Sequence, residues 1–230
     1  IFKNPKFKLE GETDFIPAKK LLVPVNKENV LKYGIVPETD MDKVVDFVEL
    51  EINGNRIGKT DLIILDILAN YNWDRPVYFV TPSADVNLGL ENWAMNCGFW
   101  YKLAPIYSES PREHPYIDED TMYHNLMDVY KLDSFNKDNV YYDYQNIYTF
   151  EAVVPIRDMF ASTARRMLAK GEVQKCVDLL DKCVAAMPHE NFPYCISWMR
   201  SINEVSLINI AELYFKSNRR EKGLAVATEL

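Results

Sequence analysis

From Val44 onward the apolar positions fall into readable periods. Val44 to Ile52 alternates and is rich in β-formers, which predicts a strand. Asn53-Gly54 is a two-residue turn signal, so Arg56 to Gly58 is a candidate return strand. Thr60 can cap a helix running to about Tyr71. That helix holds Leu62, Ile63, Ile64, Leu65, Ile67, Leu68 and Ala69, with almost no polar face, and is therefore expected to be buried. Asp61 near its start suits the helix dipole, whereas Asp66 in its middle needs a partner or an exposed edge. Pro76 to Thr81 is a nearly continuous β-branched and aromatic run, the pattern of an interior strand. Leu90 to Asn96 fits a short helix and Gly98 to Ile106 a further strand. The order predicts an α/β (or α+β) fold: a small mixed sheet covered by helices, its parallel pairs joined by right-handed crossovers.

Asp118 to Leu132 is a plausible helix, with Met122, Leu126, Val129 and Tyr130 on one face. Beyond Pro155 the period is helical throughout. Phe160, Ala164, Met167 and Leu168 form one stripe, stopped by Lys170-Gly171. Glu172 to Met187 forms the next helix, closed by Pro188. Counted back from Pro188, the small, large and small slots of a tetratricopeptide second helix fall on Cys183, Leu180 and Cys176. A second hairpin keeps the phase, with Leu207, Ile210, Ala211 and Tyr214, a turn at Ser217-Asn218, and small positions at Gly223 and Ala227. The two hairpins are offset by 47 residues. Two hairpins are fewer than the roughly three repeats that normally make such an array stable, so they are expected to pack on the α/β part or to continue past Leu230.

The remaining segments set the organisation. Residues 1–43, with prolines at 5, 17, 24 and 37 and one strand-like stretch at Leu21–Val25, read as an irregular lead-in. Residues 44–150 read as the α/β domain and 151–230 as tetratricopeptide-like hairpins. Tyr141, Tyr142, Tyr144 and Tyr148 cluster before the first hairpin, where packing a linker onto a domain is the commoner use of such residues than stacking on a sugar.

Composition narrows the function classes. Of 230 residues, 48% are hydrophobic and the formal net charge is −8. The apolar fraction excludes a disordered chain. The acidic balance, without a Lys/Arg stripe, argues against nucleic acid. No apolar run reaches the roughly 18–20 residues that span a bilayer. The chain starts at Ile1 without a signal-like segment, which reads as a piece of something longer.

The candidate chemistry is sparse. Cys176 and Cys183 lie about 10.5 Å apart along one helix, too far for a disulfide, and their neighbours make them buried thiols. A link from Cys195 to either stays open in an oxidising compartment, and Cys97 completes the set of four. His114, His124 and His189 are not spaced as metal ligands, and phosphate-loop, dinucleotide and nucleophile-elbow motifs are absent. Neither a metal nor a cofactor is expected.

Three segments carry a resemblance. D-I-L-A-N-Y-N-W-D-R-P-V-Y-F-V (Asp66–Val80), L-G-L-E-N-W (Leu88–Trp93) and W-Y-K-L-A-P-I (Trp100–Ile106) resemble the C-terminal region of a family of polytopic membrane proteins common in Bacteroidetes. That family is similar to multi-pass protein O-mannosyltransferases that use lipid-phosphate sugars. The segment from Ile156-Arg157 to Pro188 resembles the repeats that follow in such proteins. Two positions depart from the pattern: Lys102 stands where an Arg is usual, and Trp100 replaces a small residue. The family's catalytic acid lies in the membrane part, so no catalytic residue transfers to this chain. The resemblance implies an extramembrane, periplasmic tail of a glycosyltransferase, partnered by the membrane portion of the same polypeptide and by acceptor proteins or peptides.

The candidate binding residues are Trp73, Arg75 and Tyr78, with Tyr101 and Lys102 on the neighbouring strand. Functionally, Trp73 would be a sugar-stacking platform and Arg75 a phosphate or carboxylate clamp. Structurally, Trp73 would cover a helix end, Arg75 would pair with Asp66, Asp74 or a carbonyl, and Pro76 would set the start of the strand; this second reading is favoured. Three functions follow in order: an accessory domain of a membrane glycosyltransferase, a tetratricopeptide-type scaffold with a peptide groove, and a self-sufficient enzyme built on the Asp66, Trp73 and Arg75 corner.

Overall fold

The computed structural model describes residues 19–52, 57–80, 88–111, 116–138, 140, 153–194 and 200–230, with side chains from 205 in the last segment. The Asn53-Gly54 turn, Arg56, His114, the tyrosine cluster and Cys195 lie outside the described residues. The chain divides into two compact units, Ile1–Asp118 and Glu119–Leu230.

The first unit is α+β. Strand β1 (Lys20–Pro24) pairs antiparallel with β2 (Phe47–Glu51), from Lys20 opposite Glu51 to Pro24 opposite Phe47. Alternation turns Val23, Val48 and Leu50 inward and leaves Leu22 and Phe47 exposed. Between the strands, α1 (Lys27–Lys32) is capped by Asn26, whose side-chain oxygen accepts the Asn29 N–H at 3.1 Å. A 3-10 turn follows at Glu38–Lys43. The stretch expected to be an irregular lead-in thus supplies Val23, Val30, Ile35 and Val36 to the core. A five-residue strand and a six-residue helix are too short for a period to show in sequence, and their stability comes from partners distant in the chain.

The second sheet has the order β3 (Tyr78–Phe79), β5 (Tyr101–Leu103), β4 (Ala94–Asn96), β6 (Tyr116–Ile117). Strand β5 is antiparallel to β3 and β4, and β4–β6 is the parallel pair among the described strands. The sheet is mixed, as expected, but mostly antiparallel, so the expectation of parallel pairs joined by crossovers is corrected. The Pro76–Thr81 run is not an interior strand either: β3 is two residues long, at the sheet edge, with Tyr78 53% exposed. Leu90–Trp93 is a 3-10 turn that leads directly into β4.

Helix α2 (Lys59–Ala69) begins at a Gly58 cap, not at Thr60, and the Asp61 carboxylate accepts the Gly58 N–H at 2.9 Å. Its expected burial fails. Leu68 and Asp61 are buried, but Ile63 is 62% exposed and Ile67 is exposed one turn on. Aliphatic content alone does not say how many sides a helix has covered. Asp66 lies on an exposed edge, as its position required.

The second unit is helical. Helix α3 (Glu119–His124) runs into a π-helical turn at Asn125–Val129. Two hairpins follow: α4 (Val153–Ala169) with α5 (Val173–Ala186), and α6 (Arg200–Lys216) with α7 (Arg220–Thr228). The 47-residue offset read from sequence holds in the backbone. It relates the starts of α4 and α6, their last residues, and the starts of α5 and α7. It also relates the left-handed turn residues Gly171 (φ +82°) and Asn218 (φ +57°). The connecting bonds repeat too: Glu172 N–H to Met167 O at 2.9 Å matches Arg219 N–H to Tyr214 O at 2.8 Å. Inside each hairpin the paired positions Phe160 and Leu207, Ala164 and Ala211, and Met167 and Tyr214 are all buried. A Cβ on Gly223 would lie 3.1 Å from the Phe215 ring and 3.2 Å from the Ala211 carbonyl oxygen, tighter than ordinary van der Waals contact, so a larger side chain here presses on both neighbours.

Arg157 of α4 is buried and donates from Nη2 to the Met187 and Phe192 carbonyls at 3.1 and 3.0 Å. Its guanidinium also sits 4.9 Å from the Tyr194 ring centroid. This side chain anchors the segment after α5.

Candidate functional site

The W-x-R-P-x-Y-F element forms a corner between α2 and β3. Trp73 is 0% exposed and adopts φ +58°, a left-handed conformation that L side chains avoid. Its indole N–H donates to Pro24 O of β1 at 2.8 Å, and its ring lies 4.7 Å from that of Tyr71. Tyr71 in turn donates its hydroxyl to Arg75 O at 2.6 Å. On the outside, Asn29 Nδ2 donates to Asn72 O at 2.8 Å and Asn26 Nδ2 to Asn72 Oδ1 at 3.1 Å. The corner is therefore clamped to β1 and α1 from both sides. A ring with no exposed face offers nothing to stack on, so Trp73 is not a sugar platform in this structure.

The other sequence candidates separate. Arg75 is exposed, with the Asp74 carboxylate 4.0 Å from its guanidinium. Tyr78 is on the edge strand and opposite Lys102 in the register, while Tyr101 is half-buried opposite Phe79. Lys102 is buried, and its ammonium donates to Gly34 O at 3.3 Å. Burial pushes its pKa down, with Cys97 and Asp118 acting in the opposite sense. The same burial pushes the Cys97 thiol up. Among the described residues, none of the five lines the cleft at Glu49 and Glu51. Among the described residues, no group of three or more His, Cys, Asp or Glu could hold a metal ion.

What the structure does bring together lies on the outward side of β2. An open cleft of about 370 Å³ is lined by Glu49, Glu51, Gly89, Asn92, Trp93 and Tyr107. Glu49 and Glu51 share one face because strand side chains alternate. The Trp93 indole N–H donates to Glu49 O at 2.9 Å, and the Tyr107 ring stands edge-on to Trp93 at 5.2 Å. Asn92 Nδ2 reaches Ser108 O at 2.9 Å and the Tyr107 hydroxyl at 3.4 Å. Gly89, at φ +65°, turns the chain against Glu51. Lys20 from β1 crosses to Glu49 at 2.5 Å and stands 4.0 Å from Glu51, and the Glu49 carboxylate raises its pKa. The carboxylates thus already hold a cation of the chain's own. Sequence reasoning passed over this cleft, although the Glu-x-Glu alternation of β2 and the Asn92-Trp93 pair were both visible.

The thiols of the second unit are structural. Cys176 and Cys183 are buried and unbridged. Burial pushes Cys183 up to about 12 and Cys176 in the same direction, so neither is a thiolate at neutral pH.

Among the described residues, no helix is long and apolar enough to cross a membrane. Neither the curated proteins nor the solved structures contain a match to this chain. A match was found at the family level: residues 2–121, just over half of the chain and nearly coincident with the first unit, fit the family described as TMEM260-associated domain 2. The chain belongs to the TMEM260-associated domain 2 family.

Proposed function

We propose that the chain is an extramembrane accessory domain of a membrane glycosyltransferase of the TMEM260-associated kind, a tail that positions acceptor protein or stabilises the membrane part. The observation carrying this reading is the family membership of the first unit, whose name ties it to a membrane protein. The glycosyltransferase activity and the periplasmic side come from the sequence resemblance of the W-x-R-P-x-Y-F element and its two companion segments. The geometry is compatible with such a role. The element is a packed corner, and the second unit is a regular helical hairpin repeat of the kind that presents surfaces to other polypeptides.

A tetratricopeptide-type scaffold acting apart from sugar chemistry is the second reading, favoured by that regular repeat. The two are separated by expressing residues 1–230 apart from the membrane portion of the parent and testing whether they co-purify from detergent. Stoichiometric association supports the accessory domain. Retention of unrelated proteins, with no membrane portion bound, would instead favour the free scaffold.

A further inference from the structure

The cleft beside β2 combines an exposed aromatic ring with polar atoms that the fold leaves unspent. Tyr107 is 55% exposed, and it meets the buried Trp93 edge to face at 5.2 Å. The residue after it is clamped twice to one partner: Ser108 N–H donates to Asn92 O at 2.8 Å, and Asn92 Nδ2 donates to Ser108 O at 2.9 Å. The aromatic wall is therefore positioned before any ligand arrives, which lowers the cost of ordering it on binding.

The polar side offers both kinds of hydrogen-bonding group. Among the described residues, the Glu51 carboxylate accepts no hydrogen bond, and Lys20 stands 4.0 Å from it. Glu49 is bonded to Lys20 through Oε1, which leaves Oε2. Asn92 spends its amide N–H groups on Ser108 and Tyr107, and its Oδ1 accepts nothing from the described residues. Donors come from the Tyr107 hydroxyl and from the ammonium protons of Lys20 that Glu49 does not use. The Lys20–Glu49 pair is largely exposed and worth little in water, so Lys20 is free to turn towards a ligand.

This set of groups selects a chemistry. A second cation would be repelled by Lys20, which already stands between the carboxylates, and an anion would meet two carboxylates for one ammonium. A neutral polyol meets neither penalty. Each of its hydroxyls donates and accepts, matching carboxylate and ammonium together, and the C–H face of a pyranose ring matches an exposed aromatic ring. The volume of about 370 Å³ lies within the range of about 300–1,000 Å³ usual for small-molecule sites.

We propose that the cleft bounded by Glu49, Glu51, Asn92 and Tyr107 binds a neutral hexopyranoside, stacked on the Tyr107 ring with its hydroxyls bonded to the Glu51 carboxylate, Asn92 Oδ1 and the Lys20 ammonium. The inference rests on this cleft and not on the accessory-domain reading. Glycoside binding by the chain and sugar transfer by the parent are separate measurements, so either can fail alone.

The test is saturation-transfer NMR on the full 230-residue chain, with the methyl glycosides of glucose, galactose, mannose and N-acetylglucosamine as probes. Saturable binding of at least one is expected, with a dissociation constant on the order of 1 mM, the ordinary yield of so few atoms. Tyr107→Ala should weaken it about tenfold or more, while Tyr107→Phe, which keeps the ring, should change it little. Glu51→Gln should weaken it about fivefold by removing a charge-assisted acceptor. Raising the salt concentration should leave the affinity nearly unchanged, because the ligand is neutral. Tyr107 and Glu51 are exposed, so circular dichroism should show all three variants folded. No saturable binding of any of the four by the wild-type chain overturns the proposal. So does binding that Tyr107→Ala and Glu51→Gln both leave unchanged, which would put the sugar elsewhere. Binding of trilysine that salt and Glu51→Gln abolish, with no glycoside bound, would overturn it in favour of a cationic peptide.

Discussion

Trp73 separates an architectural role from a binding role most sharply. Replacing it with Phe keeps a ring but removes the indole N–H that satisfies Pro24 O at 2.8 Å. Pro24 is itself an exposed residue, so its freed carbonyl can turn to water and the loss is that of one hydrogen bond, about 0.5–1.5 kcal/mol. The smaller ring leaves a void of roughly 40 Å³, which adds about 1 kcal/mol at the usual cavity cost. Trp73→Phe should therefore destabilise the chain by about 1.5–2.5 kcal/mol. With a urea m-value of about 2 kcal/mol/M, the midpoint falls by roughly 1 M. The backbone supplies a second, independent sign. At φ +58° a non-glycine residue costs about 1–2 kcal/mol, so Trp73→Gly should be more stable than Trp73→Ala, the reverse of the ordinary order. The assay is urea unfolding of the purified chain, followed by circular dichroism. A Trp73→Phe variant within about 0.5 kcal/mol of wild type, the range of ordinary surface changes, would refute this reasoning. So would an Ala variant more stable than the Gly one.

Gly223→Val should cost about 1–3 kcal/mol through overpacking against Phe215 and the Ala211 carbonyl, read as a lower thermal midpoint. Cys183 makes stability pH-dependent on the alkaline side. Its folded pKa of about 12 lies above the unfolded value near 9, so its contribution is complete below pH 9 and is lost as pH rises from 9 towards 12. At pH 10 the loss is on the order of 1 kcal/mol, and a Cys183→Ala chain should lack that share of the decline when unfolding is measured at pH 8 and 10. Arg157→Lys should cost about 1–3 kcal/mol, since one ammonium cannot reproduce the two-carbonyl, ring-stacked geometry; equal urea midpoints would contradict this.

The helical half was legible because its signals are long and repeated. A glycine stop, a closing proline and small residues at fixed spacing place α4, α5 and the α6–α7 turn within a few residues of their observed bounds. The α/β half was legible only in part. Val44–Ile52 marks β2, and the Leu21–Val25 stretch marks β1, but nothing local tells that the two pair. Apolar richness misled twice, at α2 and at β3, because both read as covered on every side and each is covered on one. The corner at Trp73 was noticed for its residues. Its cause, an N–H bond to a strand 49 positions earlier, is a long-range contact that no window reveals. The cleft at Glu49, Glu51, Trp93 and Tyr107 is assembled from three separate segments; its parts are visible in the sequence, but their meeting is not, for the same reason.

The central claim is that this chain serves a membrane glycosyltransferase without being its catalytic part. The most direct measurement is sugar transfer from a lipid-phosphate donor to acceptor proteins by the parent membrane protein, with and without residues 1–230. If the claim holds, the truncated enzyme still inserts and folds, yet transfer is lost or the set of labelled acceptors changes, and adding the separate chain restores it. Transfer of unchanged rate and acceptor range by the truncated enzyme would contradict the claim.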